Sequence, residues 1–374
     1  MTGRHPAPIY LECYLDRSVL PSRKILDEAV QVKLEDGLWL CRLHAPNGAR
    51  TTVTVPGSPQ PLGYQHFAKI LRNATDGGDL WMTPWSASPS RPLEEVTVGA
   101  WSGDTMLSKQ EWSLQSHRRA DRRWLMASSR RKEARIDFLQ IVTTGGVSMF
   151  VRCPPMDDIE FRCERTDSIY PVRPVFSTAD ADVSAYWGFT RHAIAKGAFS
   201  LGEKMARASI KRPISMAQAV VAAHWVTSFG VDDAGYLEPL AEQLANQPDS
   251  TDALIMKWVL DLGSAPPEKR EEVRQRFWFV AETALRKLPT FTGAVRLLCE
   301  RLPADPDRLE AGIQRGPGAR RLLERLWRLA SAMAWDTEHT SFRGLRPDEP
   351  DPTAEAAHID EGSKKKFAGR KFSS

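Results

Sequence analysis

Residues 182–189, Asp-Val-Ser-Ala-Tyr-Trp-Gly-Phe, open a stretch in which apolar residues recur three and four positions apart. The stretch extends from Asp180 to Leu302 and contains the set Ala219, Ala222, Ala223, Val226 and Phe229. This spacing places apolar side chains on one face of a helix, where a neighbouring helix buries them. The stretch therefore predicts an array of packed helices, and the rest of the chain is interpreted around it.

Short breakers divide residues 177–336 into helical lengths. They are Gly197 and the segments 211–213, 230–233, 247–250, 263–267, 288–289 and 303–306. Helices of about 12 to 20 residues joined by short loops pack as antiparallel neighbours. Ser177 or Thr178 is the predicted N-cap of the first helix. No repeat of fixed length aligns, so the pattern favours an irregular, repeat-like array of helical hairpins.

Residues 1–176 have an apolar period closer to two, which is typical of strands. The predicted strands are 9–15, 29–34, 38–43, 49–55, 95–101, 136–142, 147–153 and 159–163, with one helix at 64–72. Asp36-Gly37 and Asn47-Gly48 are hairpin signals and suggest a meander. The predicted fold class is α+β, with an N-terminal β-rich domain, a sandwich or partial barrel, followed by the all-α array.

Residues 337–374 carry no pattern of a buried core. The segment 346–352 contains three prolines and 364–372 is basic. Proline lacks the N–H that helices and sheets require. A disordered basic tail is therefore predicted here, beyond the domains 1–176 and 177–336.

Composition excludes several classes. The chain has 374 residues and a formal charge of only +4, so the total charge implies neither a nucleic acid nor a membrane. Its five cysteines are scattered and odd in number, which fits neither a disulfide framework nor a zinc site. No signal-peptide pattern and no run of about 18 apolar residues occurs. The expectation is a soluble cytoplasmic protein.

One basic stretch, residues 117–135, allows two interpretations. Its candidate contact residues are Arg118, Arg119, Arg122, Arg123, Trp124, Arg130 and Arg131. Arginine pairs beside a tryptophan could hold phosphates and stack a base. The alternative, which the near-neutral chain favours, is a solvated helix or loop face whose charges pair with acidic residues.

No catalytic constellation is found. The cysteines lie in predicted strands or helices rather than in small-residue loops, and His192 and His224 have no partner at metal-ligand spacing. Phosphate-cradling glycine loops are absent from the sequence. The prediction is a non-enzymatic protein with no catalytic residue, metal or cofactor, and a cryptic hydrolase assembled from scattered residues stays open.

Certain motifs resemble a helical accessory module of bacterial multidomain proteins. In those proteins the module follows a caspase-like or subtilisin-like peptidase domain, and their genes often lie in conflict or defence clusters. The matching features lie before Gly197, in Lys204–Pro213 leading into the Ala-rich helix, and in the turn before Arg296. The family-like packing positions are Tyr186, Trp187, Gly188, Trp225, Pro289 and Phe291. The peptidase itself has no counterpart here.

This resemblance implies an adaptor, regulator or proteolytic target of a separately encoded protease in a bacterial defence system. The expected partner is a protein, with a caspase-like protease as one candidate. A nucleic-acid-associated regulator that uses residues 117–135 is the alternative, and no membrane is expected. Trp187 and Trp225 are predicted to be buried on the inner faces of their helices.

Overall fold

The computed structural model describes most of the chain, with gaps. The described residues are 8–15, 22–27, 29–35, 37–46, 50–74, 96–119, 122–130, 135–143, 147–156, 158–165, 172–176, 180–231, 233–301, 317–354 and 365–367. The architecture is α+β, as predicted.

Contacts divide the chain into two compact units. Unit 1 comprises residues 1–89 and 177–240, and unit 2 comprises 90–176 and 241–374. Each unit combines strands with its own helices, so its two parts are far apart in the sequence. This division differs from the three consecutive segments predicted above, because helices and strands of the same unit pack together across the chain.

Unit 1 is built on a four-stranded antiparallel sheet in the order β2-β1-β4-β5. Its strands are β1 Ile9–Leu15, β2 Ser22–Leu26, β4 Leu38–His44 and β5 Arg50–Pro56. Outside the sheet, β3 Gln31–Val32 pairs with β6 Leu62–Gly63. The predicted meander is wrong, because β3 leaves the sheet and β2 flanks β1. Helix α1, Tyr64–Ala74, packs on the core formed by alternate residues of β1 and β4.

Helices α2 to α4 complete unit 1. They span Ala181–Arg191, Ala195–Lys211 and Met216–Phe229, and α5 follows at Ala234–Ala245. Asp180 is the N-cap of α2 and accepts a hydrogen bond from the Val183 amide, whereas Ser177 and Thr178 lie outside the described residues. Ser215 and Gln218 form a capping box at the start of α4.

Gly197 is not the predicted breaker, since it lies inside α3. The chain turns at 192–194, where Ala193 has a φ of 55°. Gly197 permits close packing instead, because a Cβ there would lie 2.9 Å from the Phe189 ring. Gly202, one turn further along α3, is more constrained: its Cβ would lie 2.3 Å from Cγ of Trp225. These two glycines let α3 approach α2 and α4 closely.

Unit 2 contains a four-stranded and a seven-stranded antiparallel sheet. One has the order β14-β13-β10-β9 and the other β16-β15-β12-β11-β7-β17, with β8 paired to β7. Their strands are β7 Val96–Ser102, β8 Thr105–Met106, β9 Trp112–Arg119, β10 Arg122–Ser129, β11 Phe138–Thr143, β12 Ser148–Arg152, β13 Asp158–Arg165, β14 Val172–Phe176, β15 Ser341–Arg346, β16 Glu349–Pro350 and β17 Lys365–Phe367. Residues of both sheets share one hydrophobic core, which includes Trp112, Ile141 and Phe161.

The helices of unit 2 follow α5. They are α6 Thr251–Ser264, a 3-10 turn at Pro267–Lys269, α7 Arg270–Gln275, α8 Phe277–Arg286, α9 Thr292–Glu300 and α10 Pro317–Ala332. Helix α10 packs on α8, α9 and β15. Among the described residues, no helix combines the length and apolar character that crossing a bilayer requires.

The prediction of a disordered tail is wrong for residues 341–350. Strand β15 pairs with β12, and β16 pairs with β15. Pro350 is accommodated because β16 lies at the end of the sheet, where a missing N–H costs little. The prediction is also wrong for residues 365–367, which form β17 and pair with β7. Residues 337–340 and 351–354 are described as well, whereas 355–364 and 368–374 lie outside the described residues.

Candidate interaction surface

The described residues 117–119 and 122–129 of the basic stretch lie in the paired strands β9 and β10 rather than in a helix or loop face. Their register places Arg118 opposite Arg123 and Arg119 opposite Arg122. The side chains of these four arginines, and the whole of Arg131, lie outside the described part of the chain; Arg130 is exposed. Trp124 is fully buried, with the Arg162 guanidinium 5.4 Å from its ring centroid. Trp124 is therefore not available to stack a base.

The family-like positions form two groups, one in each unit. In unit 1, Tyr186 and Trp187 of α2 contact His224 of α4, and the Tyr186 hydroxyl lies 2.7 Å from Nδ1 of His224. Burial raises the pKa of Tyr186. Trp187 and Trp225 are 6% and 1% exposed, which confirms their predicted burial. The members of this group are buried, and their contacts join α2 to α4.

In unit 2, the second group surrounds the turn that precedes α9. Asp252 of α6 is buried, and its two carboxylate oxygens accept the backbone N–H groups of Thr290 and Phe291 at 2.8 and 2.9 Å. Phe291 also forms an isolated antiparallel β-bridge with His339. The backbone at Thr290 and Phe291, directly after Pro289, is thus fixed by the Asp252 carboxylate.

His339 makes unit 2 sensitive to acid. Its ring is buried against Phe176 and Phe291, and burial lowers its pKa to about 3. The unfolded chain binds a proton on this residue below about pH 6.5, whereas the folded chain does not until about pH 3, so protons favour unfolding within this window. Wild type should lose about 2 to 3 kcal/mol more of its free energy of unfolding than His339→Gln when the pH falls from 7 to 4.5.

Urea titrations of wild type and His339→Gln at both pH values measure this difference. Asp252 acts in the opposite direction, since burial raises its pKa despite the hydrogen bonds from Phe291 and Thr290, and its contribution is common to both proteins. Parallel pH dependence in the two proteins would contradict the assignment to His339.

Glu12 is a second buried carboxylate, in β1 of unit 1. It accepts hydrogen bonds from Tyr10, Arg23 and Lys196 at 3.1, 3.3 and 2.8 Å. Burial alone would raise its pKa, but the hydrogen bonds from Lys196 and Tyr10 and the charges of Lys196 and Arg23 lower it. The hydrogen bond from Lys196 therefore ties α3 to the sheet.

The cysteines are positioned as core thiols. Cys13 and Cys41 face each other across β1 and β4, with their Sγ atoms 3.2 Å apart, and both are buried. Burial raises the pKa of Cys153 and raises that of Cys299 to about 12, which disfavours the thiolate. Within the described ranges, no group of three or more His, Cys, Asp or Glu residues could hold a metal ion.

An aromatic face is the exposed feature that sequence reasoning missed. We define it as Phe199 and Ile210 of α3 and Phe229 of α4, which are 37%, 51% and 37% exposed. Phe199 packs edge-on against both Trp225 and Phe229, each with ring centroids 5.3 Å apart. Ile210 lies about three helical turns beyond Phe199 on the same side of α3. The signal in the sequence is two large apolar residues on an otherwise charged helix face.

A charged cleft of about 500 Å³ lies beside the aromatic face. It is lined by Ser200, Glu203, Lys204, Arg207, Ala208, Lys211 and Arg212. Lys204 pairs with Asp182 and Asp27 at 2.9 and 3.1 Å, and Arg207 pairs with Glu203 at 2.7 Å. Burial alone would lower the pKa of Lys204, but these two aspartates raise it. Much of the positive charge in the cleft is therefore already compensated.

Comparison with protein families bears on the C-terminal half of the chain, from residue 190 onward. Residues 190–372 match the Y4kD C-terminal domain. This match covers just under half of the 374 residues and includes the aromatic face, Trp225, Pro289 and Phe291. The description of the Y4kD C-terminal domain names no activity and nothing about caspase-like peptidase systems. Neither a curated protein nor a solved structure matches the chain.

Proposed function

We propose that this protein is a non-enzymatic interaction protein that holds a segment of a partner protein on the aromatic face. The observation that carries the proposal is the exposure of three large apolar side chains. Phe199 packs on the buried Trp225 and on Phe229, and Ile210 lies about three turns further along α3. Exposed apolar residues that cluster and are rimmed by charges are typical of protein-binding sites. Aromatic residues that rest on a rigid base make effective anchors, because little side-chain entropy remains to be lost on binding.

The charged cleft would orient the partner rather than provide most of the affinity. Arg207 and Lys204 have their ion pairs within the protein, so their contribution to attraction is small. Lys211 and Arg212, at the end of α3, add positive charge at the rim. A partner segment with apolar anchors followed by carboxylates fits this arrangement best.

The resemblance in the sequence makes a separately encoded protease of a bacterial defence system the first partner to test. In that setting the protein would act as an adaptor, a regulator or a proteolytic target. This part of the proposal rests on the motifs around Trp187, Trp225 and Phe291 alone.

A nucleic-acid-associated role for the β9–β10 hairpin is a second candidate. The register that pairs Arg118 with Arg123 and Arg119 with Arg122 supports it, because like charges directly opposite one another destabilise a hairpin unless an anion is present. Salt-dependent binding that disappears when all four arginines are changed to alanine would support this role.

Affinity purification with a surface variant tests the leading proposal. We expect the change of Phe199, Ile210 and Phe229 to serine to reduce recovery of the partner at least about tenfold, the effect of losing roughly 1.4 kcal/mol of binding free energy. Leu38→Ser is the matched control, since Leu38 is 60% exposed on β4 of the same unit. Equal recovery with the triple variant and the control, at unchanged thermal stability, would contradict the proposal.

A further inference from the structure

The exposed face of α10 in unit 2 is strongly basic. Arg321, Arg325 and Arg328 recur at i, i+4 and i+7 and form one stripe along the helix. All three are exposed, and none makes an ion pair within the described part of the chain. Like charges four apart repel and reduce helix stability, so the stripe gains stability from an external anion.

An adjacent stripe of the same helix carries Arg320, Glu324, Trp327 and Ser331. Arg320 pairs with Glu324 at 3.3 Å, which leaves the face with four arginines against one carboxylate. Trp327 is 53% exposed, although the opposite side of α10 is well buried through Leu323, Leu326 and Leu329. The helix is therefore fixed to the unit by its leucines and presents both arginines and an indole ring to solvent.

The surroundings of Trp327 distinguish between two kinds of anionic partner. Arg328 lies next to it in the chain, and Glu324 and Ser331 lie one turn away; all three are polar and exposed. The two apolar residues one turn away, Leu323 and Ala330, are buried and partly buried, so they add no exposed apolar patch around the ring. A protein-binding anchor requires an apolar patch around the aromatic ring, whereas a nucleobase requires only one accessible ring and cations for the flanking phosphates. The face therefore fits a single-stranded nucleic acid better than an acidic peptide.

We propose that the α10 face binds single-stranded nucleic acid, with Arg321, Arg325 and Arg328 on phosphates and Trp327 stacked on a base. The nearby acidic group Asp351 is hydrogen-bonded to Thr353, and the charges of Arg328 and Arg343 act on it. The site is independent of the aromatic face of unit 1 and of the β9–β10 hairpin.

Fluorescence anisotropy with a labelled oligonucleotide of about 20 nucleotides tests this proposal between about 50 and 200 mM salt. We expect the full-length protein to bind, and the variant with Arg321, Arg325 and Arg328 changed to glutamine to bind at least about tenfold more weakly. The slope of log K against log salt should fall by about 2, since each phosphate contact on a single strand contributes about 0.7. Trp327→Ala should weaken binding by about 5- to 150-fold without changing that slope.

A variant with Arg207, Lys211 and Arg212 changed to glutamine removes the same charge from unit 1 and is the matched control. Binding that survives in the α10 variant, or that falls equally in the control, would overturn the proposal. Loss of binding only when Arg118, Arg119, Arg122 and Arg123 are changed would assign the site to the hairpin instead. Poly-glutamate that competes as well as the oligonucleotide would overturn the choice of nucleic acid. Circular dichroism of each variant shows whether α10 remains folded.

Discussion

Truncation of Trp225 to alanine will lower the free energy of unfolding by about 3 to 5 kcal/mol, the range for removal of a large buried aromatic side chain. Trp225 is 1% exposed and contacts the rings of Phe199 and Tyr236. On its other side lies Gly202, whose missing side chain leaves space only for this indole. The site cannot collapse easily, because α4 is held by its capping box and by the contact of His224 with Tyr186 of α2.

Denaturant titration followed by circular dichroism measures this loss. Ile210→Ala is the control, since Ile210 is 51% exposed on α3, and its cost should stay below about 1 kcal/mol. A loss for Trp225→Ala as small as that of the control would show that the interior of the helical pair is not packed as described.

Replacement of Asp252 by alanine is expected to cost about 2 to 5 kcal/mol. The change leaves the N–H groups of Thr290 and Phe291 buried without their acceptors, and each unsatisfied group costs about 1 to 3 kcal/mol. Asp252→Asn should lose less, because the amide retains one acceptor oxygen. If the hydrogen bonds to Asp252 are the cause, wild type will be the most stable, Asp252→Asn intermediate and Asp252→Ala the least stable.

Asp261→Ala supplies the comparison on the same helix. Its carboxylate pairs with Lys257 at 2.7 Å at a partly exposed position, so its removal should cost less than about 1 kcal/mol. Thermal melts of all three variants test the order. Equal losses for Asp252→Ala and Asp261→Ala would show that the turn before α9 does not depend on Asp252.

The helices could be predicted well because their signals are local. The apolar spacing from Ala219 to Phe229 and the breaker at Gly230 act within a few turns, and both agree with α4, which ends at Gly230. The breaker at Gly197 was wrong for a tertiary reason: a glycine inside a helix is tolerated when a neighbouring ring, here Phe189, requires the space.

Sheet membership was harder to predict because partners are distant in sequence. Strand β15 pairs with β12 across almost 200 residues of chain, and no local pattern identifies such a partner. Residues 117–129 read as charged, although Leu125 and Ala127 of β10, together with Trp112 of β9, lie on one face of the strand pair and belong to the hydrophobic core. The division into two units could not be predicted for the same reason, since each unit combines segments that are distant in the sequence.

The candidate site was only partly accessible to sequence reasoning. Trp187 and Trp225 were correctly predicted to be buried. The aromatic face was not predicted, because Phe199 and Phe229 follow the periodicity of core residues and only their position at the edge of the helical pair exposes them. The α10 face could have been found, since the sequence itself places Arg321, Arg325 and Arg328 on one stripe.

Site-specific photo-cross-linking in the native host tests the proposed docking surface most directly. A benzophenone amino acid at Ile210 lies on the aromatic face, whereas the same residue at Leu38 is exposed on β4 of the same unit. We predict one discrete protein adduct from position 210 that is lost when Phe199 and Phe229 are changed to serine, and no such adduct from position 38. The same adduct from both positions, or no adduct from position 210, would contradict the assignment of the aromatic face as the docking surface.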